Sequence, residues 1–335
     1  MTDPLLVVRH LTKHFPAPVP WWAGAGRGVV HAVDDVSLAV RRGETVALVG
    51  ESGCGKSTLG RCILRLVEPT AGEIMYRGED ITHASRGRLR ELRRHVQMIF
   101  QDPNASLNPR MTVGGILREP LDIYGEGTRT QRQRRAVELL VRVGLPPHAA
   151  YAYPHELSGG QRQRVGIAAA LALEPELIIA DEPISSLDLS VQAQILNLLV
   201  HLQREYGLAF IFISHDLGVV RHLSDRVAVM YLGRIVEEAP TADLFTNPRH
   251  PYTQALLAAI PQPDPRQRAE PVPLSGEVPS PMHPPVGCRF HPRCPFAMPV
   301  CREREPPFYP AGDEHQAACF LLDARYAGQP PVAAH

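Results

Sequence analysis

The stretch GESGCGKST, residues 50–58, lies between an apolar run, TVALV (45–49), and a segment with helical patterning, LGRCILRLV (59–67). Few chains place three glycines, a lysine and three hydroxyl residues at a strand-to-helix turn. Glycine lets successive backbone N–H groups turn inward with no Cβ in the way. The helix start adds unpaired N–H groups and the positive end of its dipole. Gly50 to Ser57 fits G-x-x-x-x-G-K-[ST], the spacing of a loop that cradles nucleotide phosphates. In that loop Ser52, Gly53 and Gly55 face the phosphates and Lys56 reaches the β- and γ-phosphates. Ser57 holds Mg²⁺, and Thr58 adds a phosphate contact. Lys56 is one of only two lysines in the chain, the other being Lys13.

A second stretch fits the first. LIIADE (177–182) is an apolar strand that ends in two acids. Asp181 is placed to bind Mg²⁺ through water. Glu182 is placed to orient and deprotonate a water in line with the γ-phosphate.

A third stretch, LSGGQ (157–161), opens a helical run, QRQRVGIAAALAL. Ser158, Gly159, Gly160 and Gln161 form another anion-binding helix start. One ATP needs one phosphate loop. A second anion site is redundant unless it serves ATP held by another subunit, so the sequence predicts a dimer with nucleotides at its interface.

The 335 residues are 44% hydrophobic with a formal net charge of zero, enough for a large core and without the charge excess of a nucleic-acid partner. No run reaches about 18 apolar residues, the length of a membrane helix. The start, MTDPLLVVRH, lacks the pattern of a signal peptide, so a cytoplasmic chain is expected. Short apolar runs at 177–181 and 208–214 read as buried parallel strands, and residues 111–150 read as helices, which together argue for an α/β core. After about residue 260 prolines crowd in and regular patterning stops. A linker and a small cysteine-bearing module are expected there.

The order of these motifs resembles the nucleotide-binding subunit of an ABC transporter, over about residues 5–245. The resemblance implies a RecA-like P-loop ABC ATPase core, residues 1–245, with a helical subdomain at about 102–156. Residues 246–335 would form a loop-rich, cysteine-bearing C-terminal extension. It makes Gln101 a sensor of Mg²⁺ and the γ-phosphate, places Asp188 (in SSLD) at the dimer interface, and sets His215 against the γ-phosphate. Phe15 falls where the family puts an aromatic on adenine; Trp21, Trp22 or the backbone near His31 are the alternatives. FQDPNASLNPRMTVGGIL (100–117) and NPRHPYTQALLAAIP (247–261) are similar to the dipeptide/oligopeptide importer group. That group implies ATP-driven uptake of short peptides by a subunit peripheral to the cytoplasmic face of the membrane. Its partners would be a homologous ATP-binding subunit (as a heterodimer), two transmembrane permeases and an extracytoplasmic solute-binding protein, with no nucleic acid. The same machinery also serves nickel chelates and glutathione. A soluble ABC-type ATPase with a redox-sensing tail is the rival class.

Four of six cysteines lie in the tail, Cys288, Cys294, Cys301 and Cys319, spaced C-x5-C-x6-C-x17-C. Four thiolates suit a [4Fe–4S] cluster or zinc. Importers resembling this chain carry such clusters, which favours iron–sulfur. Arg289, His291, Arg293 and Arg302 are expected to offset the cluster's charge. A structural role apart from the nucleotide contacts is expected, with Cys54 and Cys62 structural as well.

Overall fold

The computed structural model of the chain describes residues 3–17, 28–260 and 276–326. Trp21, Trp22 and the Pro-rich stretch at 261–275 lie outside the described residues. Strands run at β1 (Leu6–Ala17), β2 (Gly28–Val40), β3 (Thr45–Val49), β4 (Ala71–Tyr76), β5 (Glu79–Asp80) and β6 (Val96–Ile99). They continue at β7 (Leu177–Asp181), β8 (Ala209–Ser214), β9 (Arg226–Tyr231), β10 (Arg234–Pro240), β11 (Tyr309–Gly312) and β12 (His315–Ala317). Helices are α1 (Lys56–Ile63), α2 (Arg86–His95), α3 (Pro103–Ser106), α4 (Val113–Tyr124), α5 (Arg129–Arg142) and α6 (Gly159–Leu171). The later ones are α7 (Leu189–Tyr206), α8 (Leu217–Leu223), α9 (Thr241–Thr246), α10 (Pro251–Ala258) and α11 (Pro299–Glu303).

The chain divides into two compact units. One holds Val40–Thr45 and His83–Ile213; the other holds Leu5–Ala39, Val46–Thr82 and the residues from Ser214 onward. In the first unit β6, β7 and β8 are parallel, with Val96 opposite Leu177 and Leu177 opposite Ala209. Every residue of β7 and β8 is buried, as a strand covered on both faces requires. Local signals set the helix ends there. Thr112 caps α4, and Gly125 closes it in the left-handed conformation at φ 74°. Thr128 and Gln131 form a capping box on α5.

In the second unit, β2, β1, β4 and β5 form a sheet in that order, with β4 antiparallel to both β1 and β5. Strand β3 lies parallel to β9, and β10 pairs antiparallel with β9. The tail does not stand apart as a separate module. Its strand β12 pairs with β10, and β11 pairs with β12, so both extend the sheet that carries β3. Strands of three and four residues are too short to leave a periodic signal, which is why the sequence reads as irregular here. A buried acid fixes this junction. Glu237 on β10 is fully buried; it pairs with His315 of β12 at 2.8 Å and accepts the N–H groups of Arg249 and His250 at 2.6 and 2.9 Å. A buried carboxylate is tolerable only with such partners. Met298, Val300, Cys301 and Phe320 form a small core of the tail's own, with Tyr309 against it. Among the described residues no helix is long and apolar enough to cross a membrane.

Candidate active site and cysteine cluster

The phosphate loop follows β3 and runs into α1. Its glycines are required twice over. Gly50 sits at φ 153° and Gly55 at φ 108°, and a Cβ would lie 2.1 Å from the Met230 carbonyl oxygen at the first and 2.0 Å from that of Ala32 at the second. Gly55 precedes α1 in the left-handed conformation, and no side chain caps the helix. Lys56 is buried, and its ammonium donates to the carbonyls of Gly50 and Glu51 at 2.8 and 2.9 Å. Ser52 and Gly53 are exposed at the loop tip, and Ser57 and Thr58 are half-buried in the first turn of α1. This donor set fits a polyphosphate. Cys54, inside the loop, is buried, and burial pushes its thiol up. Cys62 is buried on α1, and burial pushes it up to about 11.

In the other unit, Asp181 ends β7 almost fully buried. Glu182 follows at φ 44°, a left-handed backbone uncommon for a non-glycine and held by its N–H bond to the Ile213 carbonyl at 3.1 Å. Gln101 donates from Nε2 to Glu182 Oε2 at 3.1 Å. The expected γ-phosphate sensor and the acid expected to act on the attacking water are thus joined, although 81 positions separate them. His215 is exposed at the turn between β8 and α8, where Asp216 caps α8.

Ser158 caps α6 in a box with Gln161. Its hydroxyl accepts from the Gln161 N–H at 3.3 Å, and its own N–H donates to Gln161 Oε1 at 2.9 Å. The signature glycines differ. A Cβ at Gly159 would meet Leu187 at 3.6 Å, whereas one at Gly160 would lie 2.5 Å from Val191 of α7. Gly160 therefore serves packing within this chain as well. Asp188 is exposed at the N-terminus of α7.

Phe15 is half-buried on β1, with the Lys13 ammonium 4.8 Å from its ring centre. Beside it lies a group that sequence reading missed. The rings of His14 and His31 are 4.2 Å apart, and each has a nitrogen near Asp34, at 3.6 and 3.4 Å. Burial raises the Asp34 carboxyl, but Arg289, Arg234 and His14 outweigh it and hold it below its ordinary range. Arg289 already occupies this acid, so its charge opposes a metal cation there. The residues come from two strands, and their spacing leaves no motif.

Cys294, Cys301 and Cys319 are buried, Cys288 is partly so, and none is in a disulfide. Burial pushes the thiols of Cys288, Cys294 and Cys319 up to about 12 and raises Cys301 too. Each of the first three also feels two of the other cysteines, so the four form one group. Backbone N–H groups meet the sulfurs: those of Phe290 and His291 at Cys288, Phe296 at Cys294, Leu321 at Cys319 and Met298 at Cys301. Such bonds favour thiolate ligands. One zinc with Zn–S bonds of about 2.3 Å would hold its sulfurs within roughly 4.6 Å of one another. Among the described residues, only His14, His31 and Asp34 bring three ligand atoms within 4.8 Å. Among the described residues no three of the four cysteine sulfurs come that close. Two of the arginines expected around it are engaged elsewhere: Arg289 is directed to Asp34 and Arg293 to Glu51 of the phosphate loop.

Residues 33–185 match the ABC transporter family model, and residues 236–301 match that of the oligopeptide/dipeptide transporter C-terminal region. The chain is 55% identical to a probable peptide ABC transporter ATP-binding protein, y4tS, of Sinorhizobium fredii, over all of this chain and 93% of that one. It is 52% identical to the oligopeptide transport ATP-binding protein AppF of Bacillus subtilis, over 95% of this chain and 98% of that protein. The chain belongs to the ATP-binding subunits of ABC transporters, in the oligopeptide/dipeptide group. The solved dimer of the ATP-binding cassette MJ0796 with ADP and Pi resembles it at 31% identity, with a TM-score of 0.63 over 70% of this chain and 98% of that one. As an ABC ATPase subunit the chain hydrolyses ATP, the work for which its loop and paired acids are suited. What sequence reading of this ABC subunit missed is the traffic between its ends: the Arg293–Glu51 pair and the Tyr252 hydroxyl that accepts from the Glu51 N–H at 2.9 Å. An acid inside an anion-binding loop was the available signal.

Proposed function

We propose that this subunit uses ATP hydrolysis to drive uptake of short peptides, working at the cytoplasmic face of a membrane with two permease subunits and an extracytoplasmic solute-binding protein. The observation that carries this reading is the match to peptide transporters along the whole chain, extension included. Ser52, Gly53, Gly55, Lys56 and Thr58 bind the phosphates, and Phe15 stacks on adenine. Ser57, Gln101 and Asp181 hold Mg²⁺, which neutralises charge on the phosphates. Glu182 takes the proton of the attacking water, and His215 holds the γ-phosphate. Ser158, Gly159, Gly160, Gln161 and Asp188 complete the site of a homologous partner subunit in a heterodimer. The capped, otherwise open start of α6 supports that role. Residues 1–245 act as the nucleotide-binding domain, with the helical part at about 102–156 following the permeases, and 246–335 as the extension.

Cys288, Cys294, Cys301 and Cys319 ligate a [4Fe–4S] cluster in this proposal, and their shared burial and N–H···S bonds support it. Such a cluster supplies four bonds that fix loops with little core of their own. The experiment for transport is uptake into proteoliposomes that hold the full complex and internal ATP. Labelled di- to hexapeptides should enter only with ATP and the binding protein. Uptake of a nickel chelate or glutathione instead of peptides would overturn the peptide assignment. ATPase activity with no membrane partner recovered would favour the soluble rival.

A further inference from the structure

Glu51 is out of place by charge. It is the second residue of a loop built to hold an anion, yet it carries a carboxylate. Unneutralised, that charge would act against the β- and γ-phosphates through a poorly screened, partly buried site. The structure supplies the missing cation from the far end of the chain. Arg293 donates two hydrogen bonds to the Glu51 carboxylate, at 2.8 and 3.0 Å, across 242 positions. The Arg293 side chain is 6% exposed and that of Glu51 27%. Paired, forked bonds of this kind fix orientation as well as charge.

The support is wider than one pair. The Glu51 N–H donates to the Tyr252 hydroxyl at 2.9 Å. Tyr252 packs on Tyr231 and Phe290, with ring centres 4.7 and 5.4 Å away, and the Arg293 guanidinium lies 5.8 Å from the Tyr231 ring centre. Behind the loop, the Gly233 N–H donates to the Cys54 carbonyl at 2.9 Å. Phe290 and Arg293 both lie between Cys288 and Cys294. The cysteine-bearing stretch therefore reaches the loop with an arginine and an aromatic wedge.

We propose that Arg293, assisted by Tyr252, is a positioning residue for ATP: it neutralises and orients Glu51, making the cysteine-bearing extension part of the phosphate loop's support. The proposal rests on the assignment of residues 50–58 to the phosphates of ATP. It has a sign that ordinary packing lacks. Removing only the arginine leaves a carboxylate against the phosphates; removing both charges does not.

The test is Mg·ATP binding by the full chain, by titration calorimetry, for Arg293→Gln, Glu51→Gln, the double variant and Arg293→Lys, with Lys56→Ala as control. Arg293→Gln should bind ATP roughly tenfold more weakly, as an uncompensated nearby charge implies. Glu51→Gln should stay within about twofold of the parent, because the Arg293 cation it leaves unpaired attracts the phosphates rather than repelling them, and the double variant, which leaves neither charge, should recover to within about threefold. Arg293→Lys keeps the charge without the fork and should fall between parent and Arg293→Gln. A double variant as weak as Arg293→Gln would reduce Arg293 to a packing role and overturn the proposal, as would parental binding by Arg293→Gln. If Arg293→Gln does not fold, Arg293→Lys binding ATP as tightly as the parent, or a double variant that folds yet binds more than tenfold more weakly, overturns it as well. Lys56→Ala that binds ATP like the parent would instead remove the phosphate-loop assignment beneath it, whereas lost binding there with parental Arg293→Gln sinks this inference alone.

Discussion

Gln101 donates a side-chain hydrogen bond to Glu182, Nε2 to Oε2 at 3.1 Å. The bond joins the residue that opens the helical segment to the acid after β7, and it orients that carboxylate before any nucleotide acts on it. Glu182→Gln preserves the shape and the hydrogen-bonding capacity but cannot take a proton. Turnover by the assembled transporter should fall by about 100-fold or more, the scale of a lost general base. ATP binding should stay near parental, and a closed ATP-bound dimer should accumulate. Phosphate release at the parental rate would remove Glu182 from this role.

Gly159 is a better probe of a shared site than Gly160. Gly160→Asp would drive a Cβ to 2.5 Å from Val191, so its melting temperature should fall along with its activity. Gly159→Asp meets Leu187 at an ordinary 3.6 Å, and an acid in the first turn of α6 suits the helix dipole. It should melt like the parent and bind ATP as an isolated chain, yet lose ATPase activity in the dimer by charge against the partner's nucleotide. Equal loss of binding by the isolated chain would argue against a shared site.

Chain purified without air should be brown, with about four irons per chain. Cys319→Ser should bleach it and loosen the tail. It should also weaken ATP binding, because Arg293 stands next to Cys294 and reaches Glu51. This reverses the expectation from sequence that the tail leaves nucleotide affinity alone. Colourless protein with one zinc per chain would end the cluster assignment.

His250 reports on the α10 junction through pH. It is fully buried, and burial pushes it down to about 3, while its Nδ1 accepts the Tyr252 N–H at 3.1 Å. The unfolded chain takes this proton below about 6.5, but the folded chain does not until about 3. Its contribution to stability is therefore present above pH 6.5 and is lost as pH falls toward 3, about 2 kcal/mol of it by pH 5. His250→Asn retains an acceptor for the Tyr252 N–H and should flatten the fall in melting temperature between pH 7 and 5. Parallel curves for parent and variant would show that His250 does not carry the acid loss.

The motifs that residues carry locally were legible. LIIAD and AFIFIS are apolar up to their last residue and form buried parallel strands. Ser158 caps α6, and the glycines at 50 and 55 sit where no Cβ fits. The His14–His31–Asp34 group was not legible, because β1 and β2 set its neighbours and neither strand records its partner.

The sequence by itself determined the phosphate loop, the strand ending in two acids, the capped start of α6 and the spacing of four cysteines. Each depends on residues within one or two turns of chain, where backbone sterics and capping act directly. Tertiary structure alone decided that β12 would pair with β10, that Glu237 would be sealed by His315, and that Arg293 would reach Glu51. Short strands and isolated charges carry no periodicity. Their partners are selected by which surfaces the packed core brings within hydrogen-bond range, and by the cost of leaving a buried charge unpaired.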